Sequence, residues 1–137
     1  MSAESWTFHH VGIACERIED ELADWVLLGY VVEEPRFTDE IQGIRGCFMV
    51  GGGPRIELIE NLAGSTTLSP WLKRKTKLYH MGYIVEDFRG ACDQVTAAGA
   101  VAARDIARSA YFGARIAFFM MPNMAMIELI EASANGP

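Results

Sequence analysis

The chain has 137 residues, enough for one domain around one core, and its 50% hydrophobic and 22% charged content is that of a globular protein. A formal net charge of −6 argues against a nucleic-acid partner, because phosphate binding needs Lys and Arg to neutralise the backbone. Cys15, Cys47 and Cys92 form no C-x-x-C pattern, so neither a disulfide framework nor a zinc knuckle is expected. With no secretory pattern and no run of ~18 apolar residues, the expected location is the cytoplasm, with no membrane partner.

In chain order, the first strand signal is "HVGIA" at 10–14. It leads into "RIEDELADWVLLG", where Ile18, Leu22, Trp25 and Val26 predict an amphipathic helix and Gly29 a C-cap. A short strand is expected at 30–33, a rim loop in "EEPRFTDEIQ", a strand at 43–50 ("GIRGCFMV") and, after the turn "GGGP", a last strand in "RIELIE". The segment "NLAGSTTLSPWLKRKTKL" reads as a linker with a short helix at 71–75, Ser69 as N-cap and Pro70 at its first position. Its basic residues Lys73, Arg74, Lys75 and Lys77 read as solvated surface or as a docking patch for an anionic carrier.

The second part of the chain repeats the first. "HMGYI" at 80–84 follows "HVGIA" at an offset of 70, which also pairs Gly12 with Gly82, Gly29 with Gly99 and Arg45 with Arg115. Phe88, Cys92, Val95 and Ala98 restate the apolar face of the first helix, and "GARIAFFM" restates "GIRGCFMV" as G-x-R-x-x-F. "MIELIE" closes the second copy as "RIELIE" closes the first, now at an offset of 71. The expected fold class is α+β: two tandem βαβββ modules (about 6–61 and 78–133, linker 62–77) forming a single domain over 1–137, a pseudo-two-fold eight-stranded cup with helices on its outer face.

Residues two apart on a strand share a face. Val11 and Ile13, with Met81, Tyr83 and Val85, form a helix-facing set, as do Ile56, Leu58, Ile127 and Leu129. His10, Gly12 and Ala14, and His80, Gly82 and Ile84, then face the other way, together with Glu57 and Glu128. The repeat superposes His10 on His80 and Glu57 on Glu128, so two imidazoles and two carboxylates converge on the pseudo-two-fold axis. Two desolvated carboxylates repel unless a cation or a shared proton joins them, so this donor set reads as a site for one divalent metal ion: Mn, Co, Ni, Fe or Zn rather than Ca. Two open positions on an octahedral ion would suit a small substrate with two neighbouring oxygens. His9 turns towards the helix side. Arg45 and Arg115 read either as anion binders or as partners in structural ion pairs, and Met120, Met121, Met124 and Met126 as core or lining.

The duplicated unit, with "HHVGIA", "HMGYIVED" and "MIELIE", resembles the vicinal oxygen chelate superfamily over about 8–131. Within it the chain is similar to methylmalonyl-CoA epimerases in "EIQGIRGCFMV", "SPWLKRK" and "YHMGYIVED". The resemblance implies His10, Glu57, His80 and Glu128 as metal ligands, an acyl-CoA as a possible partner and a homodimer. Tyr79 stands where those epimerases usually have a second histidine, and the last hairpin, "MMPNMAMIE", is shorter than theirs. Arg45, Gly46 and Cys47 occupy a strand where some of them carry a catalytic acid.

The expected activity is therefore that of a metal-dependent isomerase that abstracts a proton next to a carbonyl and stabilises the enolate with the metal. Glu128, or Glu57 if it dissociates from the metal, serves as base, and an epimerase would need both ligand glutamates or a rim residue such as Glu34, Asp39 or Glu40. Three alternatives stand beside it. A glyoxalase I-like lyase matches the His-Glu-His-Glu ligand order; an Fe(II) extradiol dioxygenase would use only His10, His80 and Glu128; and a metal-free small-molecule or drug-binding protein shares the same fold.

Overall fold

The computed structural model describes residues 6–133; positions 1–5 and 134–137 of the expected domain lie outside the described residues. The class is mixed α+β, with ten strands and three helices among the described residues. In chain order these are β1 (Trp6–Ala14), α1 (Ile18–Leu27), β2 (Val31–Val32), β3 (Phe37–Asp39), β4 (Ile44–Val50), β5 (Ile56–Asn61), α2 (Ser69–Lys73), β6 (Leu78–Val85), α3 (Phe88–Ala97), β7 (Val101–Ala102), β8 (Ala107–Arg108), β9 (Arg115–Met120) and β10 (Met126–Glu131). The chain divides into two compact units, one spanning 10–79 and the other 80–133 together with 6–9.

In the unit spanning 10–79 the strands run β2-β4-β5-β1, with β3 also paired to β4. β1 and β5 are parallel, with Gly12 beside Glu57, and β4 and β5 are antiparallel, with Phe48 opposite Glu57. Helix α1 covers one face through Ile18, Leu22 and Trp25, against Val11, Ile13, Cys15, Cys47, Met49, Ile56 and Leu58. Complete burial of a side chain such as Leu58 contributes about 1.5–3 kcal/mol to this packing. Val26, expected on the same helix face, is 57% exposed. The buried stripe at Ile18, Leu22 and Trp25 already spans two turns, and Val26 falls at its margin.

The unit containing 80–133 repeats the plan as β6-β10-β9-β7, with β8 paired to β9. Glu128 lies beside Gly82 in the parallel β6/β10 pair and opposite Phe118 in the antiparallel β9/β10 pair. Helix α3 packs Phe88, Ala91 and Val95 on Val85, Ala117, Phe119, Ile127 and Leu129, with Trp6 and Tyr83 at the margin. Each expected βαβββ module is present and carries one extra short strand, β3 or β8. The first of these lies inside the segment expected to be a rim loop. Pro35 lies in the break between β2 and β3, where its missing N–H cannot serve a ladder.

Both long helices end in the same way. Gly29 (φ 98) and Gly99 (φ 104) adopt the left-handed conformation, and their N–H groups donate to Val26 and Thr96. The following N–H groups, of Tyr30 and Ala100, donate to Trp25 and Val95, completing two Schellman motifs. The linker helix begins earlier than expected: Leu68 is its N-cap, without a side-chain cap bond, and Ser69 lies inside the first turn. Met124 is exposed at a turn (φ 72), so it belongs to neither core nor lining.

Candidate metal centre

His10 on β1 and Glu57 on β5 are buried at 0% and 6% exposure, with Nε2 of the imidazole 3.0 Å from Oε1 of the carboxylate. The register explains the contact. Gly12, the direct neighbour of Glu57 on β1, offers no side chain, so the carboxylate has room to reach the imidazole two residues away on the same face. Phe48, opposite Glu57 on β4, sets its ring edge-on to His10 with centroids 5.2 Å apart.

The other unit repeats this arrangement. His80 and Glu128 are buried at 2% and 4% exposure, with Nε2 and Oε1 3.2 Å apart. Gly82 lies beside Glu128, and Phe118 is edge-on to His80 at 5.1 Å. Among the described residues, each pair sets a buried imidazole nitrogen beside a carboxylate oxygen, donor atoms that could hold a metal ion. Their chemistry fits the role, because buried carboxylates need a compensating charge and imidazole nitrogen with carboxylate oxygen is a donor set for borderline divalent ions.

The flanks of the two phenylalanines differ. In the 10–79 unit, Phe37 of β3 stacks on Phe48 (centroids 5.8 Å, planes 20° apart) and fills the space above Gly46, its direct partner on β4. In the other unit the corresponding pair is Ala107 opposite Ile116, which exchanges the large and the small residue. The neighbour of Phe118 is instead Arg104, whose Cζ lies 4.5 Å from the ring centroid. The two phenylalanines were visible in advance as the repeated F of G-x-R-x-x-F, although their contact with the histidines was not.

Arg45 and Arg115 resolve as structural ion pairs. Arg45 Nη1 donates to Glu60 Oε2 at 2.7 Å, and Arg115 donates twice to Glu131, at 3.1 and 2.7 Å. The hydrogen bond from Arg115 holds the Glu131 carboxyl below its usual range. Glu60 has a second role, accepting from the N–H of Ile18 at 2.7 Å at the start of α1. The final glutamate of each I-E-L-I-E copy thus pins an arginine on the neighbouring strand, away from the site.

His9 packs edge-on against Phe112 at 5.1 Å. Of the rim acids, Asp39 is buried and accepts from the backbone N–H and the side-chain amide of Gln42, at 3.0 and 2.8 Å, whereas Glu34 and Glu40 are exposed. Lys77 is tied to the Ala14 carbonyl at 2.8 Å and to Glu21, which removes it from the basic patch. The three cysteines are free thiols, and burial pushes Cys15 up to about 12. No helix among the described residues is long and apolar enough to cross a membrane.

A duplicated βαβββ chain with a buried His–Glu pair in each copy defines a class of protein built on paired modules. The chain belongs to the glyoxalase/bleomycin resistance protein/dioxygenase superfamily, whose family model matches residues 9–118. Among solved structures it is similar to a hypothetical protein from Bacillus halodurans (TM-score 0.80, 22% identity, covering 98% of this chain and 99% of that one). It is also similar to methylmalonyl-CoA epimerase from Mycobacterium tuberculosis (TM-score 0.77, 23% identity, 98% and 95% covered). A third is a Streptomyces coelicolor methylmalonyl-CoA epimerase variant in complex with 2-nitronate-propionyl-CoA (TM-score 0.75, 22% identity, 93% and 98% covered). At these identities the likeness is one of fold, that of vicinal oxygen chelate proteins. No curated protein matches the chain.

Proposed function

We propose that the two His–Glu pairs close on one divalent metal ion, making the chain a single functional domain that abstracts a proton next to the carbonyl of an acyl substrate with two neighbouring oxygens. The observation that carries this reading is the exact duplication of a buried imidazole–carboxylate contact, at 3.0 and 3.2 Å, on equivalent strands. His10, Glu57, His80 and Glu128 would hold the ion, which supplies Lewis-acid polarisation of the substrate carbonyl when bound.

The proton transfer falls to the chain's own carboxylates. Glu128, or Glu57 once it has left the ion, takes the proton from the substrate α-carbon as a carboxylate, and the other glutamate, off the ion and protonated, returns one, since no acid stands at Arg45, Gly46 or Cys47. Asp39 is committed to Gln42, which leaves Glu34 and Glu40 as the rim acids able to exchange protons with solvent. Phe48 and Phe118 keep water from the imidazoles and strengthen every charge interaction beside them. The epimerase neighbours support a methylmalonyl-CoA-type substrate.

A glyoxalase-type lyase is a second reading, favoured by glutamate at position 57, which completes a His-Glu-His-Glu set. A dioxygenase using three ligands would leave the buried Glu57 without a task. A homodimer is supported by the exposed apolar surface of Leu27, Leu28, Val31 and Val32, along an edge strand and the adjoining helix end.

Deuterium exchange from solvent into methylmalonyl-CoA, run beside a glyoxalase assay with methylglyoxal and thiol, tests the reading. Exchange at the α-carbon is expected, reduced at least 100-fold in the folded Glu128→Gln variant. Undiminished exchange in that variant excludes Glu128 as the base, and an α-hydroxy thioester formed from methylglyoxal and thiol, without exchange into methylmalonyl-CoA, selects the lyase.

A further inference from the structure

We infer that Lys73, Arg74 and Lys75, at the end of the linker helix α2, form a docking subsite for the phosphates of a nucleotide-borne acyl substrate; the inference deepens the function proposed above and rests on that reading for the identity of the carrier. The start of α2 is fastened to its unit. Leu68 is fully buried and its N–H donates to Asn61 Oδ1 at 2.9 Å, while the Thr67 hydroxyl donates to the Gln42 carbonyl at 2.6 Å. Asn61 follows Glu57 and Ile59 on the same face of β5, about 13 Å along the strand from Glu57. The helix is therefore anchored to a residue on the face that carries the carboxylate of the His10–Glu57 pair.

Two features set the end of α2 apart from the ends of α1 and α3. The first is charge. Lys73, Arg74 and Lys75 are consecutive and exposed on a chain of net charge −6, whereas the last turns of α1 and α3 hold no basic residue. Arg45, Arg55, Lys77 and Arg115 are tied to glutamates, but these three make no ion pair among the described residues. The second is backbone conformation. All three helices end in a Schellman motif, here with the N–H groups of Lys75 and Thr76 donating to Leu72 and Trp71. Where the others place Gly29 and Gly99, α2 places Lys75 at φ 56, in a region that favours glycine. A side chain held at such a position points to a use for that side chain.

The chemistry of the cluster suits phosphate. Two ammonium groups and a guanidinium supply charge-assisted donors, and their joint charge matches a group of phosphates better than a single carboxylate. Arg74 Cζ lies 6.0 Å from the ring centroid of Trp71, which is itself edge-on to Tyr79 at 4.6 Å. The carrier of an acyl thioester joins its phosphates to the reacting end by a long arm, so one molecule can set its acyl group beside Glu57 and its phosphates at the end of α2. A small free acid could not occupy both places.

Calorimetric titration with CoA, with pantetheine, which lacks the phosphates, and with inorganic tripolyphosphate tests the subsite. In the triple variant Lys73→Gln, Arg74→Gln, Lys75→Gln the affinity for CoA is expected to fall about tenfold or more and to lose most of its salt dependence, with pantetheine bound alike by both proteins. Lys75→Gly keeps the left-handed turn, so its urea midpoint should equal or exceed that of wild type while its CoA affinity falls, a split that a purely structural lysine would not produce. Equal CoA affinity in wild type and the triple variant, no CoA binding by wild type, or tripolyphosphate bound more tightly than CoA overturns the inference. Its failure is distinct from that of the proposed reaction: CoA binding that depends on the three cations, with no deuterium exchange into methylmalonyl-CoA, keeps the subsite and removes the reaction, and exchange that survives in the triple variant with undiminished CoA affinity does the reverse.

Discussion

The two modules share a plan and differ in how they finish it, and the differences fall on either side of the polar pair. Around His10 the flank is built from stacked rings, Phe37 on Phe48, made possible by Gly46. Around His80 the same strand positions carry Ala107 and Ile116, and a guanidinium takes the flank. The helix starts diverge as well. α1 has Arg17 at its N-cap with no side-chain bond and borrows Glu60 from β5, while α3 caps itself through Asp87, which accepts from Gly90 at 2.9 Å. What stays identical is the imidazole, the carboxylate, the adjacent glycine and the edge-on phenylalanine. Duplication thus preserved the donor set, while the surroundings diverged into an apolar wall and a charged one.

The size exchange gives the largest expected effect on stability. In Gly46→Ala the new Cβ would lie 2.3 Å from Phe37 Cζ, so the stacked ring must move, at about 1–3 kcal/mol. Copying the other module, with Phe37→Ala and Gly46→Ile together, should recover most of that loss in urea unfolding. A Gly46→Ala protein as stable as wild type would show that the ring does not depend on the glycine.

The capping difference predicts a smaller effect. Glu60→Ala removes the acceptor for the Ile18 N–H and the partner of Arg45, and should lower stability by about 1–2 kcal/mol. Asp87→Ala, which removes one side-chain cap bond, should lower it by about 1 kcal/mol. An Asp87→Ala loss exceeding that of Glu60→Ala would reverse the assignment of Glu60 as the anchor of α1.

Much of this was legible in the sequence because period-two alternation and a repeat offset of 70 reinforce each other. Together they placed Ile56, Leu58, Ile127 and Leu129 under the helices and Glu57 and Glu128 on the other face, as the structure has them. Strands of two or three residues leave no periodicity to detect: β2 was placed by the helix stop at Gly29 just before it, and β3 and β8 escaped notice because no such stop precedes them. Leu68 as N-cap and the exposure of Val26 depend on where a helix is pressed against its sheet, which propensity alone does not encode. The tie from Glu60 to Ile18 spans 42 residues, and Arg104 over Phe118 has no counterpart in the first module, so no repeat pointed to either.

The central claim is that two duplicated pairs serve one ion. Elemental analysis of protein purified without added metal, alongside titration of the chelated protein with Co, Mn, Ni, Zn and Fe(II), tests it most directly. The account predicts one divalent ion per chain, with binding lost both in His10→Ala and in His80→Ala because each pair supplies half of the site. Two ions per chain, with each substitution removing only one, or no ion bound at all, would contradict it.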